Sequence, residues 1–135
     1  MSDASAAAPL RISTSHAAKF RQAAFVYLHV SILHEAAAYE MWRASLLPFT
    51  RLGPPTLWLG LGALVAAVVF FALLRWQNVY FARVIWALHA LRLPPLIHGA
   101  FLAGADKPIP PSFYITAIVV AVINLWMLAR AAWDL

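Results

Sequence analysis

His29, His34, Glu35 and Glu40 fall between Phe20 and Leu47, His89 and Arg92 between Asn78 and Pro94, and Asn124 within the uncharged run from Pro108 to Ala129. All lie in stretches dominated by apolar residues. An ionisable group at membrane depth costs several kcal/mol unless it is paired, so each of these side chains calls for a partner. Counted from Ala23 and Asn78 respectively, Glu35 is the thirteenth residue of its run and His89 the twelfth, and Asn124 comes to a similar level on a helix running back. A polar cluster of Glu35, His89 and Asn124 is therefore expected, with Glu40 and Arg92 pairing nearer one face. Asn78, Ala82, Ile85, His89 and Arg92 recur at intervals of four and three, which places Asn78, His89 and Arg92 on one helical stripe with Arg83 pointing away. Two kinds of chemistry follow. A carboxyl group beside an imidazole at membrane depth can exchange a proton; the same pair can simply bridge helices, as polar groups in membrane bundles do.

The histidines His29, His34, His89 and His98 raise a second chemistry, because imidazole is a standard axial ligand of haem. His29 and His89, on different segments at roughly matching depth, are the candidate pair for a haem, quinone or pigment. No cofactor is required by the sequence. His29 and His34 diverge by about 140° on a helix, there is no Cys-x-x-Cys-His attachment, and cysteine is absent. His34-Glu35 followed by Tyr39-Glu40 lacks the Glu-x-x-His spacing that aims two ligands at one ion, so no metal site is expected. Gly60 and Gly62 have no preceding strand and no phosphate-binding lysine; they read as helix packing, with Gly60, Ala63 and Ala67 as a small-residue face. Trp42, Trp58, Trp76, Trp126 and Trp133 fall near expected helix ends, where indole rings favour the headgroup level, whereas Trp86 lies deeper and should meet a neighbour.

The elements that would position these groups follow from composition. The chain has 135 residues, 64% apolar and 11% charged, against about 45–50% and about 25% in soluble domains. Too few polar side chains are present to cover a soluble domain of this size. Ordinary soluble enzymes, disordered chains and nucleic-acid-binding domains are excluded, since the net charge of +5 comes from scattered single basic residues with no basic stripe. Residues 1–18, small and polar, are expected to form a flexible tail, and 19–135 a single membrane domain. Its helices are expected near 20–47, 56–75, 78–103 and 112–133, the third kinked or ended at Pro94-Pro95 because proline removes a backbone donor. Ser112 is the expected N-cap of the fourth.

The fold class is thus all-α, a four-helix transmembrane bundle, with three spans plus an N-terminal interfacial helix as the alternative. An interfacial helix gathers its polar groups on one face. Taking His29 as the origin, Glu40 falls at about 20°, His34 at about 140° and Glu35 at about 240°, which favours four spans. Starting from an inner N-terminus, Arg11, Lys19, Arg21, Arg75, Arg83 and Arg130 lie inside, while Arg43, Arg51, Arg92 and Lys107 lie outside. The small excess predicts the cytoplasmic membrane of a bacterium with the N-terminus inside.

Tyr27-Leu28 to Ile32-Leu33, then Glu35, and later Phe49-Thr50-Arg51-Leu52, resemble the first helix of small multidrug-resistance transporters. The resemblance covers under a quarter of the chain and implies a four-span carrier built around one membrane carboxylate. Glu40 is a second glutamate, the third helix lacks the glycine-rich pattern of that family, and Leu93-Pro94-Pro95 has no counterpart.

No catalytic constellation is visible, so no enzymatic activity is expected. The leading expectation is a non-catalytic accessory or assembly subunit of a larger membrane complex, whose partners are the bilayer and other membrane subunits or copies of itself. The alternatives are a proton-coupled small-molecule transporter using Glu35, and a carrier of haem, quinone or pigment using His29 and His89.

Overall fold

The computed structural model describes residues 3–47, 55–104 and 108–135, with the side chains of all of these except 3–14 and 55. Among them the chain is all-helical: α1 (Asp3–Arg43), α2 (Pro55–Trp76), α3 (Val79–Ile97) continuing into a π-helical turn (His98–Leu102), and α4 (Pro111–Ala132). Two of these, α2 from Thr56 and α4, are long and apolar enough to cross a membrane. α1 and α3 are not among the helices apolar enough to do so.

Each boundary has a local cause. α1 takes in residues 3–18, where a tail was expected; Ala4, Ala6, Ala7, Ala8, Ala17 and Ala18 supply the strongest helix former, which continues a helix nucleated downstream. It stops at Ser45, whose φ of 59° is left-handed. There Leu46 N–H donates to Met41 O at 2.9 Å and Ser45 N–H to Trp42 O at 2.9 Å, the pair of bonds that closes a Schellman end. α2 and α3 are separated by Gln77, also left-handed at φ 48°, and Asn78. The Asn78 carboxamide oxygen accepts from Tyr80 N–H at 2.8 Å and Phe81 N–H at 3.1 Å, a side-chain N-cap. α4 begins one residue earlier than expected. Pro111 occupies its first turn, where a missing N–H costs nothing, and Ser112 lies inside the helix, its carbonyl accepting from Thr116 Oγ1 at 2.7 Å.

Pro94 and Pro95 do not end α3. The helix runs through them to Ile97, and His98 N–H donates back to the carbonyls of Pro94 and Pro95. The disturbance is passed on as the π-helical turn that follows, a common way for a helix to absorb an irregularity.

α1 packs on both α2 and α4, and α4 packs on α3, so α2 and α3 are the outer helices of the arrangement. Although consecutive in the chain, these two do not pack along their length. The core gathers at the end where they are joined: Phe20, Ala23, Ala24 and Tyr27 of α1 meet Ala66, Val69 and Leu73 of α2, Ala82 of α3, and Leu128, Ala131 and Ala132 of α4. Alanine dominates this list, which lets helix backbones approach closely around the larger Phe20, Leu73 and Leu128. The buried face of α2 therefore runs through Ala66, Val69 and Leu73, whereas Gly60 has no neighbour within van der Waals reach and Ala63 is exposed. The expected packing face at Gly60, Ala63 and Ala67 is corrected accordingly.

The chain's end is fastened at the same place. Arg83 Nη2 donates to Ala132 O at 3.3 Å, and its guanidinium lies 5.3 Å from the ring of Trp133, which meets Trp86 edge-on at 5.3 Å. Trp86 thus has the intramolecular neighbour its depth called for. Lys19 Nζ donates to Asp134 at 2.7 Å, and this bond holds the Asp134 carboxyl below its usual range.

Candidate functional site

Towards the other end the four helices enclose a pocket of about 340 Å3. Every helix contributes to it. α1 supplies Tyr27, Ser31, His34 and Glu35; these positions, at i, i+4, i+7 and i+8, share one face of the helix. α3 supplies His89 and Arg92, one turn apart on the stripe read from the sequence, and α4 supplies Asn124. α2 contributes an apolar wall that includes Trp58, Leu61 and Val65, and it contributes Gly62.

The polar floor is deeply buried. His89 is 8% exposed and Asn124 only 1%. His89 Nε2 and the Tyr27 hydroxyl share a hydrogen bond of 3.2 Å, with the rings 5.4 Å apart, which ties α1 to α3. The second nitrogen of His89, Nδ1 of His34 and both amide atoms of Asn124 are buried without a hydrogen-bond partner. Such groups cost about 1–3 kcal/mol each when left unpaired. Several donors and acceptors thus converge on one space. A lone structural bridge would use them up.

Glu35 is the sole carboxylate of the pocket wall. Its carboxylate lies so close to α2 that a Cβ built at Gly62 would overlap it. The seat of Glu35 therefore depends on a residue without a side chain. Arg92 supplies the guanidinium of the same wall. No ion pair joins Arg92 to Glu35 among the described residues. The two charges line the pocket from different helices, with space between them.

The expected trio of Glu35, His89 and Asn124 is brought to one pocket. The expected pair of Glu40 and Arg92 is not formed: Glu40 bonds Arg43 at 3.1 Å, both side chains being mostly exposed, because a partner three residues along the same helix is nearer than any on α3. His29 and His89 do not face each other either. His29 is exposed, with Nδ1 2.7 Å from the carbonyl oxygen of Phe25, while His89 turns to Tyr27, so these imidazoles do not flank a common ligand. Among the described residues no three His, Asp or Glu side chains are grouped to hold a metal ion. Asn78, on the same stripe as His89, caps its own helix and takes no part in the pocket.

The sequence reading missed Tyr27, Ser31 and Gly62, and treated His34 apart from Glu35. The signal for the first two was the i, i+4 and i+8 spacing to Glu35. Nothing local separates Gly62 from Gly60, since only the neighbour across the interface differs.

The chain matches no protein-family profile, no curated protein and no solved structure. The resemblance of α1 to small multidrug-resistance transporters is therefore not extended by any wider likeness. Its Phe49-Thr50-Arg51-Leu52 portion lies outside the described residues, as do Arg51 and Lys107 of the charge balance.

Proposed function

We propose that the chain is a four-span membrane protein that binds a small ligand in the four-helix pocket and exchanges a proton at Glu35. The observation that carries this reading is the convergence of unpaired, buried polar atoms of His34, His89 and Asn124 on one space beside a carboxylate and a guanidinium. Polar atoms arranged in this way favour an occupant that can pair with them. Glu35 is the group of the wall that can take up or release a proton as the occupant comes and goes, and His89 is its neighbour in the pocket. This is a binding and carrying role, with no bond made or broken in the ligand.

α1 and α3 are taken to cross the bilayer with α2 and α4, because both line the polar pocket and both pack on helices of spanning composition. Lys19, Arg21, Arg75, Arg83 and Arg130 gather at the packed end, which favours that end on the cytoplasmic side of a bacterial inner membrane. The absence of cysteine makes this directly measurable. Single cysteines at Ser45 and Gln77 should label from opposite sides of sealed vesicles, and labelling from one side would refute four spans.

The proton step is tested in proteoliposomes holding a pH-sensitive dye, challenged with soluble and membrane-permeant polar compounds. Compound-dependent proton movement should be present in the wild type and abolished in Glu35→Gln, with the melting temperature little changed. If Glu35→Gln merely lowers the melting temperature, Glu35 is a structural bridge and the reading fails.

A second reading, an accessory subunit of a larger complex, is favoured by α1 alone. This helix turns Glu35 and His34 inward yet exposes His29 and Glu40, so in a bilayer its outer face would be better covered by another protein. Mass spectrometry of the tagged protein, gently solubilised at native expression, tests it: co-purifying membrane subunits support it, and a lone monomer excludes it.

A further inference from the structure

The buried floor of the pocket carries Tyr27, His89 and Asn124 beside Ala66, Ala117 and Ala121, and its exposed lip carries apolar side chains of α2 with Arg92 of α3. Tyr27, His89 and Asn124 are 6%, 8% and 1% exposed, whereas Trp58, Leu61 and Val65 on α2 are 44%, 43% and 56% exposed. Residues of both α2 and α3 line the pocket, and these helices do not pack on each other along their length, so the gap between them offers a way in. In a bilayer that gap faces acyl chains rather than water. A ligand passing through it meets Trp58, Leu61 and Val65 on the α2 side and Arg92 on the α3 side, and reaches the buried His89 and Asn124 last.

Two further observations narrow what enters. The volume of about 340 Å3 is at the low end of the range of about 300–1,000 Å3 for small-molecule pockets, enough for one ring-sized head and too little for a head together with a long tail. The charged lining is balanced, one carboxylate at Glu35 against one guanidinium at Arg92, so the wall presents no net charge and suits an uncharged head. The unpaired nitrogens of His34, His89 and Asn124 are suited to oxygens on that head.

We infer that the occupant is a membrane amphiphile of the quinone or quinol class, its uncharged, oxygen-bearing head on His89 and Asn124 and its apolar tail leaving between α2 and α3. The inference rests on the pocket being a ligand site, and it specifies both the ligand and its route. The Tyr27–His89 pair closes the far end of the chamber. Asn124 provides a donor and an acceptor at the floor. Trp58 stands at the lip, where a bound quinone would quench its fluorescence.

The test uses the full chain in lipid nanodiscs, with a benzoquinone carrying a ten-carbon tail and the same ring without the tail, each referred to its concentration in empty nanodiscs. Quenching should contain a saturable component for the tailed probe, at an apparent affinity at least about tenfold tighter than for the bare ring, and that component should be lost in Trp58→Phe. Asn124→Leu should weaken both probes at least about tenfold without lowering the melting temperature. Val65→Trp, at an exposed position of the lip, should weaken only the tailed one. Equal affinity for the two probes, with sensitivity to Asn124→Leu retained, would overturn the lateral route and the amphiphile while leaving the pocket a ligand site for water-borne molecules. Absence of saturable quenching by either probe overturns the ligand class, and the proton-movement assay then decides the pocket itself.

Discussion

The two ends of this bundle are built from the same four helices on opposite terms. At one end, Ala23, Ala24, Ala66, Ala82, Ala131 and Ala132 bring the backbones together around Phe20, Leu73 and Leu128. At the other, Tyr27, His34 and Glu35 of α1 and His89 and Arg92 of α3 stand around the pocket, across from Asn124 of α4, and α2 and α3 do not pack on each other. Lipid offers no hydrophobic force to press helices together, so fit between small residues is what assembles them. Under the proposed function the contrast divides the labour along the bundle: one end holds the helices and the other offers the ligand site, with Tyr27 and Ala66 shared between them.

The sharpest attack on that separation is at the packed end. Phe20→Ala, at a fully buried site, should cost about 3–5 kcal/mol, read as a large fall in melting temperature. If it left the melting temperature unmoved while altering ligand binding, the division between the ends would be wrong. Next in size, and opposite in sign, Asn124→Leu should stabilise the protein by about 1–3 kcal/mol, because it removes two buried, unpaired polar atoms and keeps the same branched side-chain skeleton. Denaturation in mild detergent measures it, and a marked loss of stability would mean that Asn124 is satisfied by something essential to the fold.

Smaller effects refine the comparison. Gly62→Ala should cost about 1 kcal/mol, since the added methyl meets the movable end of the Glu35 side chain, and the cost should disappear in a Glu35→Ala background. A cost that persisted there would place the strain in the helix backbones instead. The Lys19–Asp134 tie should have the least effect, being exposed on the carboxylate side. Because Asp134 is held below its usual range by Lys19, the contribution is complete above the ordinary carboxylate pKa and fades as the pH falls through the lowered one. A melting curve of Asp134→Asn should therefore differ slightly from wild type near neutrality and converge with it in strong acid.

Much of the fold was legible because two runs lack charge altogether, Leu52 to Leu74 and Pro108 to Ala129, and helices α2 and α4 occupy them. The opposite facing of Arg83 and His89 was also legible, since a helical stripe is a matter of spacing alone. The site was half legible. Depth counting brought Glu35, His89 and Asn124 together, but the partner of Glu40 was decided by Arg43 on its own helix, a choice between near and far that spacing does not settle. The passage of α3 through Pro94 and Pro95 was hidden for a different reason: a local rule describes the loss of two donors, whereas the compensation is made several residues later. The helical start of α1 depends on the cooperative extension of a helix, and composition taken over residues 1–18 alone does not register it.

The π-helical turn at the end of α3 also acts as a phase shifter. An extra residue within a turn rotates everything beyond it by about 100° relative to a regular helix. Gly99 lies in that turn, and the ring of Tyr114 on α4 occupies the place a Cβ there would take. The two features are linked by angle: the added residue dials the one position lacking a side chain round to meet an aromatic ring. Removing a single residue between Pro95 and Gly99 would leave the composition almost unchanged and present a different side chain to Tyr114, so this junction is encoded by chain length as much as by residue type.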